Sequence, residues 1–193
     1  MLPCYNKVAM DQGEVTALLR AWGSGDRSVG DQLFRSIYKE LHTLAQYHLR
    51  GRPEATVSPT MLINEAFLQL AAEPKSDWRD RVQFFAFTAT VMRRLMIGYA
   101  RRRGAEKRGG GFESIVFDES IHALLNRGID VEALDEALNA LDRLDSTQAR
   151  IVELRFFGGL SVEDTAEHLN MSPRSVIRHW GLAKAWLADH LAN

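Results

Sequence analysis

The sequence predicts an all-α fold: two small helical domains joined by a flexible linker, the C-terminal domain a helix-turn-helix. Three observations carry this reading. Apolar residues recur at helical spacing along most of the 193 residues, strand signals are scarce, and a glycine-punctuated stretch of low apolar content separates two sets of helical segments. The length suits one large or two small domains, each able to bury a core. Hydrophobic content of 46% and charged content of 25% are those of a soluble globular protein. No apolar run approaches the roughly 20 residues that a membrane span needs. The N-terminus has no basic segment leading into an apolar core, so a cytoplasmic protein without membrane contact is expected. Cys4 is the only cysteine, which excludes an internal disulfide and every multi-cysteine zinc site. Neither a metal nor a cofactor is expected.

Element by element, Val15 to Ala21 is a short helix closed by Gly23-Ser24-Gly25. Asp31 to Arg50 follows, with Leu33, Ile37, Leu41, Leu44, Ala45 and Leu49 near helical spacing, and Gly51-Arg52-Pro53 ends it. Ser58-Pro59 opens a helix running to about Ala72, and Pro74 marks the next loop. A long helix then carries Phe84, Phe87, Val91, Leu95 and Tyr99 into a cluster of arginines. The first domain is placed at 11–103, the linker at 104–130 with Gly104 and Gly109-Gly110-Gly111, and the second domain at 131–193. Within the last, Val131 to Leu144 and Ser146 to Phe157 precede two further helices.

Those two helices hold the most informative pattern. Ser161 followed by Asp164 suits a capped start, and Val162, Thr165, Ala166 and Leu169 give one buried stripe. Asn170-Met171 makes a turn, and Ser172 can cap a second helix with Pro173 at its first position. There Val176 and Trp180 point inward, which leaves Arg174, Ser175, Arg178 and His179 on the outer face, where a recognition helix meets base edges and phosphates. Two helices of an ordinary bundle give a similar pattern.

The net charge of -1 conflicts with a nucleic-acid ligand until it is resolved along the chain. Between Arg93 and Arg108 stand seven basic residues, Arg93, Arg94, Arg101, Arg102, Arg103, Lys107 and Arg108, against Glu106 alone. Between Glu113 and Asp145 nine acids face only Arg127 and Arg143. A basic block attracts phosphate, and an acidic block repels it or pairs with a basic surface. Enzyme signatures are missing: the six histidines are scattered, and no His-Glu-x-x-His, phosphate loop or nucleophile elbow occurs.

With these residues in hand, the order of elements resembles sigma factors of the extracytoplasmic-function (ECF) group, bacterial subunits that give RNA polymerase its promoter specificity. Leu138-x-x-Leu141 and the run Arg150 to Ser161 are similar to the family's fourth conserved region, which reads the -35 element. Phe34 to Leu49, Leu62 to Leu70 and Phe84 to Arg103 are similar to the second, which grips the polymerase and opens the -10 element. The resemblance implies two partners, promoter DNA both duplex and melted, and core RNA polymerase through the clamp of its largest subunit. It implies -35 contacts from Arg174, Ser175, Arg178, His179 and Lys184, and clamp contacts from Leu62, Ile63, Asn64, Glu65 and Leu68. At the -10 element it implies Trp78, Arg93, Arg94, Tyr99, Arg101 and Arg102. Melting needs aromatics beside cations, each stacked base contributing about 1–3 kcal/mol, and this stretch supplies both. The rival reading is a repressor or activator that uses the same helix-turn-helix without polymerase. Such proteins normally dimerise on palindromes, whereas this chain has no heptad seam and spends half its length on a second helical domain.

Two departures from the family pattern matter. Where relatives carry an acidic Asp-x-Glu-Asp run before the clamp-binding helix, this chain has Ser58, Pro59, Thr60 and Met61. A phosphate adds about -1.5 to -2 charges at neutral pH and would restore the missing acidity. Thr60 is the first choice for such a switch and Ser58 the second, with Ser58 as a plain helix cap the competing role. A Ser/Thr protein kinase and an anti-sigma protein are the regulatory partners this leaves open. In the recognition helix, Ile177 and Leu182 stand where relatives often have basic residues. Finally, the acids Asp118, Glu119, Asp130 and Glu132 are expected to shield the basic surface as the two domains fold against each other.

Overall fold

A computed structural model describes residues 12–48, 58–72, 80–106 and 131–192. In chain order these form α1 (Gln12–Gly23), a 3-10 turn (Arg27–Val29), α2 (Gly30–His48), α3 (Pro59–Ala72), α4 (Arg81–Glu106), α5 (Val131–Leu144), α6 (Ser146–Val152), a π turn (Glu153–Phe157), α7 (Val162–His168) and α8 (Pro173–Ala192). No strand occurs among the described residues. The expected linker lies outside them apart from Gly104–Glu106, which form the end of α4.

Each helix follows from its stripe and its cap. In α1, Val15, Leu18, Leu19 and Trp22 fall at i, i+3, i+4 and i+7 and are all buried. In α2 the same spacing buries Leu33, Ile37, Leu41, Leu44 and Ala45. The Ser58 hydroxyl accepts from the Met61 amide at 3.2 Å and starts α3, with Pro59 where no N–H is needed. Leu62, Ile63 and Ala66 of α3 are buried. Phe67 stacks on Trp22 with centroids 5.2 Å apart and meets Phe34 edge-on at 4.6 Å, which ties α1, α2 and α3 together. Asp80 starts α4 by accepting from the Gln83 amide at 2.8 Å.

Helix α4 lacks a single apolar face. Phe84, Phe85, Ala86, Ala89, Val91, Met92, Leu95, Met96 and Ile97 are all buried, together with Thr88, whose hydroxyl donates to the Phe84 carbonyl at 2.9 Å. A helix buried over most of its circumference must be covered from more than one side. On one side α4 meets α1 and α3, and on the other it meets α5, the π turn and α7. The buried apolar residues of the N-terminal and C-terminal helices therefore form one continuous cluster.

The C-terminal helices are shorter and firmly punctuated. Helix α5 buries Leu134, Ala137, Leu138 and Leu141 on one stripe. Asp145 then accepts from the Gln148 amide at 3.0 Å and from its side-chain amide at 2.8 Å, starting α6. These bonds to the ionised form hold its carboxyl below the usual carboxylate value, with a smaller contribution from His179. Helix α6 widens into the π turn, closed by the Gly158 amide donating to the Glu153 carbonyl at 3.2 Å. This turn buries Leu154, Phe156 and Phe157, and the two phenylalanine rings meet edge-on at 4.7 Å. The sequence pattern showed one uninterrupted helix from Ser146 to Phe157; the wider turn lets that helix present apolar side chains both to α4 and to its own unit.

The seam between the two helical sets is close. A Cβ on Gly158 would lie 2.9 Å from that of Ala89, and one on Gly159 would lie 3.2 Å from Leu44 Cδ1. Gly159 also has φ +66, in the left-handed region. Two polar links cross the seam beside this contact. Arg93 of α4 donates to Asp135 of α5 at 2.7 and 3.2 Å and to Asn139 at 2.8 Å, and Arg150 of α6 donates to Thr90 of α4 at 3.2 Å.

Candidate promoter and polymerase interface

The helix-turn-helix is built from three local devices. Ser161 accepts from the Asp164 amide at 2.9 Å and starts α7. Asn170 adopts φ 52, which turns the chain between α7 and α8. Ser172 accepts from the Ser175 amide at 3.1 Å and starts α8 at Pro173. Thr165 and Ala166 of α7 and Val176, Trp180, Ala183 and Leu187 of α8 are buried, while Trp186 is partly buried against the same core. Two cations approach the Trp180 ring, Arg155 at 4.9 Å and Lys184 at 5.5 Å from its centroid.

This packing divides the expected -35 residues. Arg174 and Arg178 are exposed on the first two turns of α8. Ser175 is half-buried, its hydroxyl 2.9 Å from that of Ser172. His179 is not on the open face: it is half-buried with Nδ1 3.8 Å from the Asp145 carboxylate. Lys184 lies over Trp180, directed toward its own unit. Their place on the helix circuit explains both, since each follows Trp180 or Val176 closely enough to share the inner edge. Ile177 and Leu182 are exposed at 58% and 53%, so the outer surface of α8 is partly apolar where further cations would strengthen phosphate contact.

Among the expected -10 residues, Arg94 is exposed and Tyr99 is half-buried against the core. Arg93 departs from expectation, because the α5 pair Asp135 and Asn139 already takes its guanidinium. Arg101 and Arg102 lie on α4, their side chains outside the described residues, as is all of Trp78. The neighbouring phenylalanines Phe84 and Phe85 are core. Arg81 pairs with Glu40 and covers the Phe85 ring at 4.5 Å, so it too is held against the protein.

The expected clamp face on α3 is also narrowed. Leu62 and Ile63 are fully buried against the neighbouring helices and leave no surface for a partner. Asn64 and Leu68 are exposed, Leu68 at 63%, while Glu65 is half-buried and accepts from Gln69 at 3.4 Å. Met61, exposed at 51%, extends this face; its position seven residues before Leu68 was the signal for it. Thr60 is exposed in the first turn, and Ser58 is engaged as the cap. Of the expected shielding acids, Asp118, Glu119 and Asp130 lie outside the described residues, as does the side chain of Glu132.

Among the described residues no group of three or more His, Cys, Asp or Glu is placed to hold a metal ion, and no helix is long and apolar enough to cross a membrane. The described residues are helical, and a capped helix-turn-helix with two exposed arginines on its second helix is the arrangement of a class of DNA-binding proteins. The particular family follows from comparison: the model of the ECF sigma factor family matches residues 12–193, and the chain belongs to that family. No curated protein sequence matches the chain. Its role is accordingly that of an alternative sigma factor in transcription initiation, with core RNA polymerase and promoter DNA as partners. The match runs through the N-terminal helices as well as the helix-turn-helix, which a stand-alone repressor would not require.

Proposed function

We propose that the chain works as a phosphorylation-dependent sigma factor, acting in the cytoplasm, in which Thr60 is the switch. The supporting observation is a stripe on α3. Thr60, Asn64 and Leu68 fall at i, i+4 and i+8 and are all exposed. A phosphate on Thr60 would stand at the head of the surface offered to the polymerase clamp, where relatives carry carboxylates. It would also lie in the first turn of a 14-residue helix whose first turn holds no acid, so the helix dipole favours the added negative charge. Ser58 is the poorer acceptor, since its hydroxyl caps that helix. In this reading a Ser/Thr kinase supplies the phosphate and no anti-sigma protein is needed to hold the unmodified chain inactive.

In the same reading Arg174 and Arg178 contact the -35 element, with Ser175 at the rim, and Arg94, Tyr99, Arg101 and Arg102 meet the -10 element. Run-off transcription with purified core polymerase and a promoter library tests the whole. Promoter-specific transcripts are expected from the Thr60-phosphorylated chain, or Thr60→Glu, and not from the unmodified chain or Thr60→Ala. Equal transcripts from all forms would retain the sigma role and discard the switch. No transcripts from any form would remove the proposed assignment of both interfaces.

A further inference from the structure

We infer that Ile177 is a specificity-determining residue that reads a thymine methyl group in the major groove of the -35 element, and that Gly181 lets the sugar-phosphate strand come close beside it. The inference rests on the promoter reading of the preceding section and adds to it which base the helix selects. Three observations carry it.

The first is the composition of one face. Arg174, Ile177, Arg178, Gly181, Leu182 and Ala185 follow one another along α8 at steps of three and four and are all exposed, opposite the buried Val176, Trp180, Ala183 and Leu187. The two arginines draw the first two turns of this strip to an anion, and those are the turns that a recognition helix places on base edges. Ile177 stands between them, 58% exposed. It has no charge to offer a phosphate and no hydrogen bond to offer a base.

The second is what such a side chain can select. In the major groove guanine, cytosine and adenine present hydrogen-bonding groups, which an apolar side chain would strip of water without return. Thymine adds a methyl group there, and apolar contact with it is the favourable alternative. Three residues of helix rise about 4.5 Å, near the spacing of about 3.4 Å between base pairs. With α8 lying along the groove, Ile177 is therefore placed to reach a base pair next to the one that Arg174 reaches, where an arginine favours guanine.

The third is a glycine that its own chain does not explain. Gly181 lies in the interior of the 20-residue α8, where glycine is among the poorest residues. Its backbone is helical, and a Cβ built on it would meet nothing within 4 Å beyond its own helix. Neither conformation nor packing within the described residues calls for it. Close approach from outside does. Gly181 follows Ile177 by four residues on the same face, about 6 Å along the axis, where a strand flanking the groove would pass.

The test uses the full chain, phosphorylated at Thr60 and bound to core polymerase. Promoters are selected from a library with a randomised -35 segment, and each thymine of the selected segment is then replaced in turn by deoxyuridine, which removes only the methyl group. At one position the parent should lose about fourfold in affinity, the contribution of burying one methyl group. Ile177→Ala should bind the thymine and uracil duplexes alike at that position, with the parent's dependence on salt. Arg178→Ala should instead weaken both and lower the salt slope by about one. Ile177→Arg should move the selected base at that position from thymine toward guanine. Gly181→Ala should raise the urea midpoint of the chain and yet weaken promoter binding, opposite signs that a glycine of structural role alone would not give. The deoxyuridine change leaves the protein untouched, so its outcome does not depend on the folding of any variant.

A selected -35 segment in which no deoxyuridine weakens binding, or one on which Ile177→Ala discriminates as the parent does, would overturn the role of Ile177 and leave the sigma reading standing. So would an Ile177→Ala chain that loses affinity for core polymerase itself, which would make the strip a protein contact. Promoter binding by Gly181→Ala equal to the parent's would overturn the close approach of the strand. Failure of the complex to select any -35 segment would overturn the promoter reading, and the role of Ile177 with it.

Discussion

Helices α4 and α5 face each other across the seam and bury their residues in opposite ways. Helix α5 carries one stripe, Leu134, Ala137, Leu138 and Leu141, and keeps acids on its flanks. Helix α4 is buried over most of its circumference from Phe84 to Ile97, apart from a stripe of Phe87, Thr90 and Arg94, and its two cations divide, Arg93 to the seam and Arg94 to solvent. The difference teaches that stripe width counts neighbours. A helix with one apolar face belongs to one unit, whereas a helix without a preferred face is shared by two. In an isolated N-terminal unit, part of α4 would be an exposed apolar strip, and such strips are contact surfaces.

The sharpest way to break this comparison is to remove a large side chain from the π turn and ask which helices notice. Phe157 is 1% exposed in the segment that packs on α4. Phe157→Ala should cost about 3–5 kcal/mol, read as a shift in the urea midpoint. Because the cluster is continuous, α1–α4 and α5–α8 should lose stability together in a single transition. Two separate transitions, with the N-terminal helices unmoved, would show that α4 is not shared and that the halves fold independently.

The sequence made much of this legible, for identifiable reasons. Helix starts were readable because Ser58, Ser161 and Ser172 cap locally, and a cap needs only three residues of context. The burial of Trp180 and Val176 followed from spacing alone. What was not legible required knowledge of a second element. Nothing in the run around Arg93 distinguishes it from Arg94, since their difference is set by Asp135, 42 residues further on. Leu62 and Ile63 were expected at a partner face because the resemblance implied it, and an apolar stripe does not say whether its cover is the same chain or another. His179 and Lys184 looked open because a helix wheel omits Asp145 and the Trp180 ring. The widened turn at Glu153–Phe157 leaves no mark in a pattern of apolar residues that both helix types would satisfy.

A smaller effect sharpens the comparison at the backbone of the seam. Gly159 combines φ +66 with a close approach to Leu44 of α2. Gly159→Ala must hold a side chain in the left-handed region, at about 1–2 kcal/mol, and press it against a leucine methyl that can move aside. Urea unfolding should register about that loss, and a loss confined to the conformational penalty would show that Leu44 yields. No loss would mean that the turn relaxes to a right-handed conformation, and hence that the approach to α2 is not held in solution.

The smallest expected effect concerns protons at the same seam. His168 ends α7 and is half-buried, with Arg150 of α6 and Asp80 at the start of α4 as its charged neighbours. Burial lowers its pKa below the ordinary 6.5, Arg150 lowers it further, and Asp80 acts weakly in the opposite sense. The folded chain therefore prefers the neutral ring more than the unfolded chain does. The stability this contributes is fully present above pH 6.5 and is lost as the pH falls through the lowered folded value. Asp145 behaves alike in a lower window, its contribution present above its ordinary 3.8 and lost only below it, so the two do not overlap near neutrality. His168→Gln should thus flatten the fall in urea midpoint between pH 7.5 and 5.5 relative to the parent, while leaving the midpoint at the upper end nearly unchanged. Identical slopes in the two proteins would mean that the ring is solvated in both states, and that α7 sits less closely against Arg150 and the start of α4 than its half-burial implies.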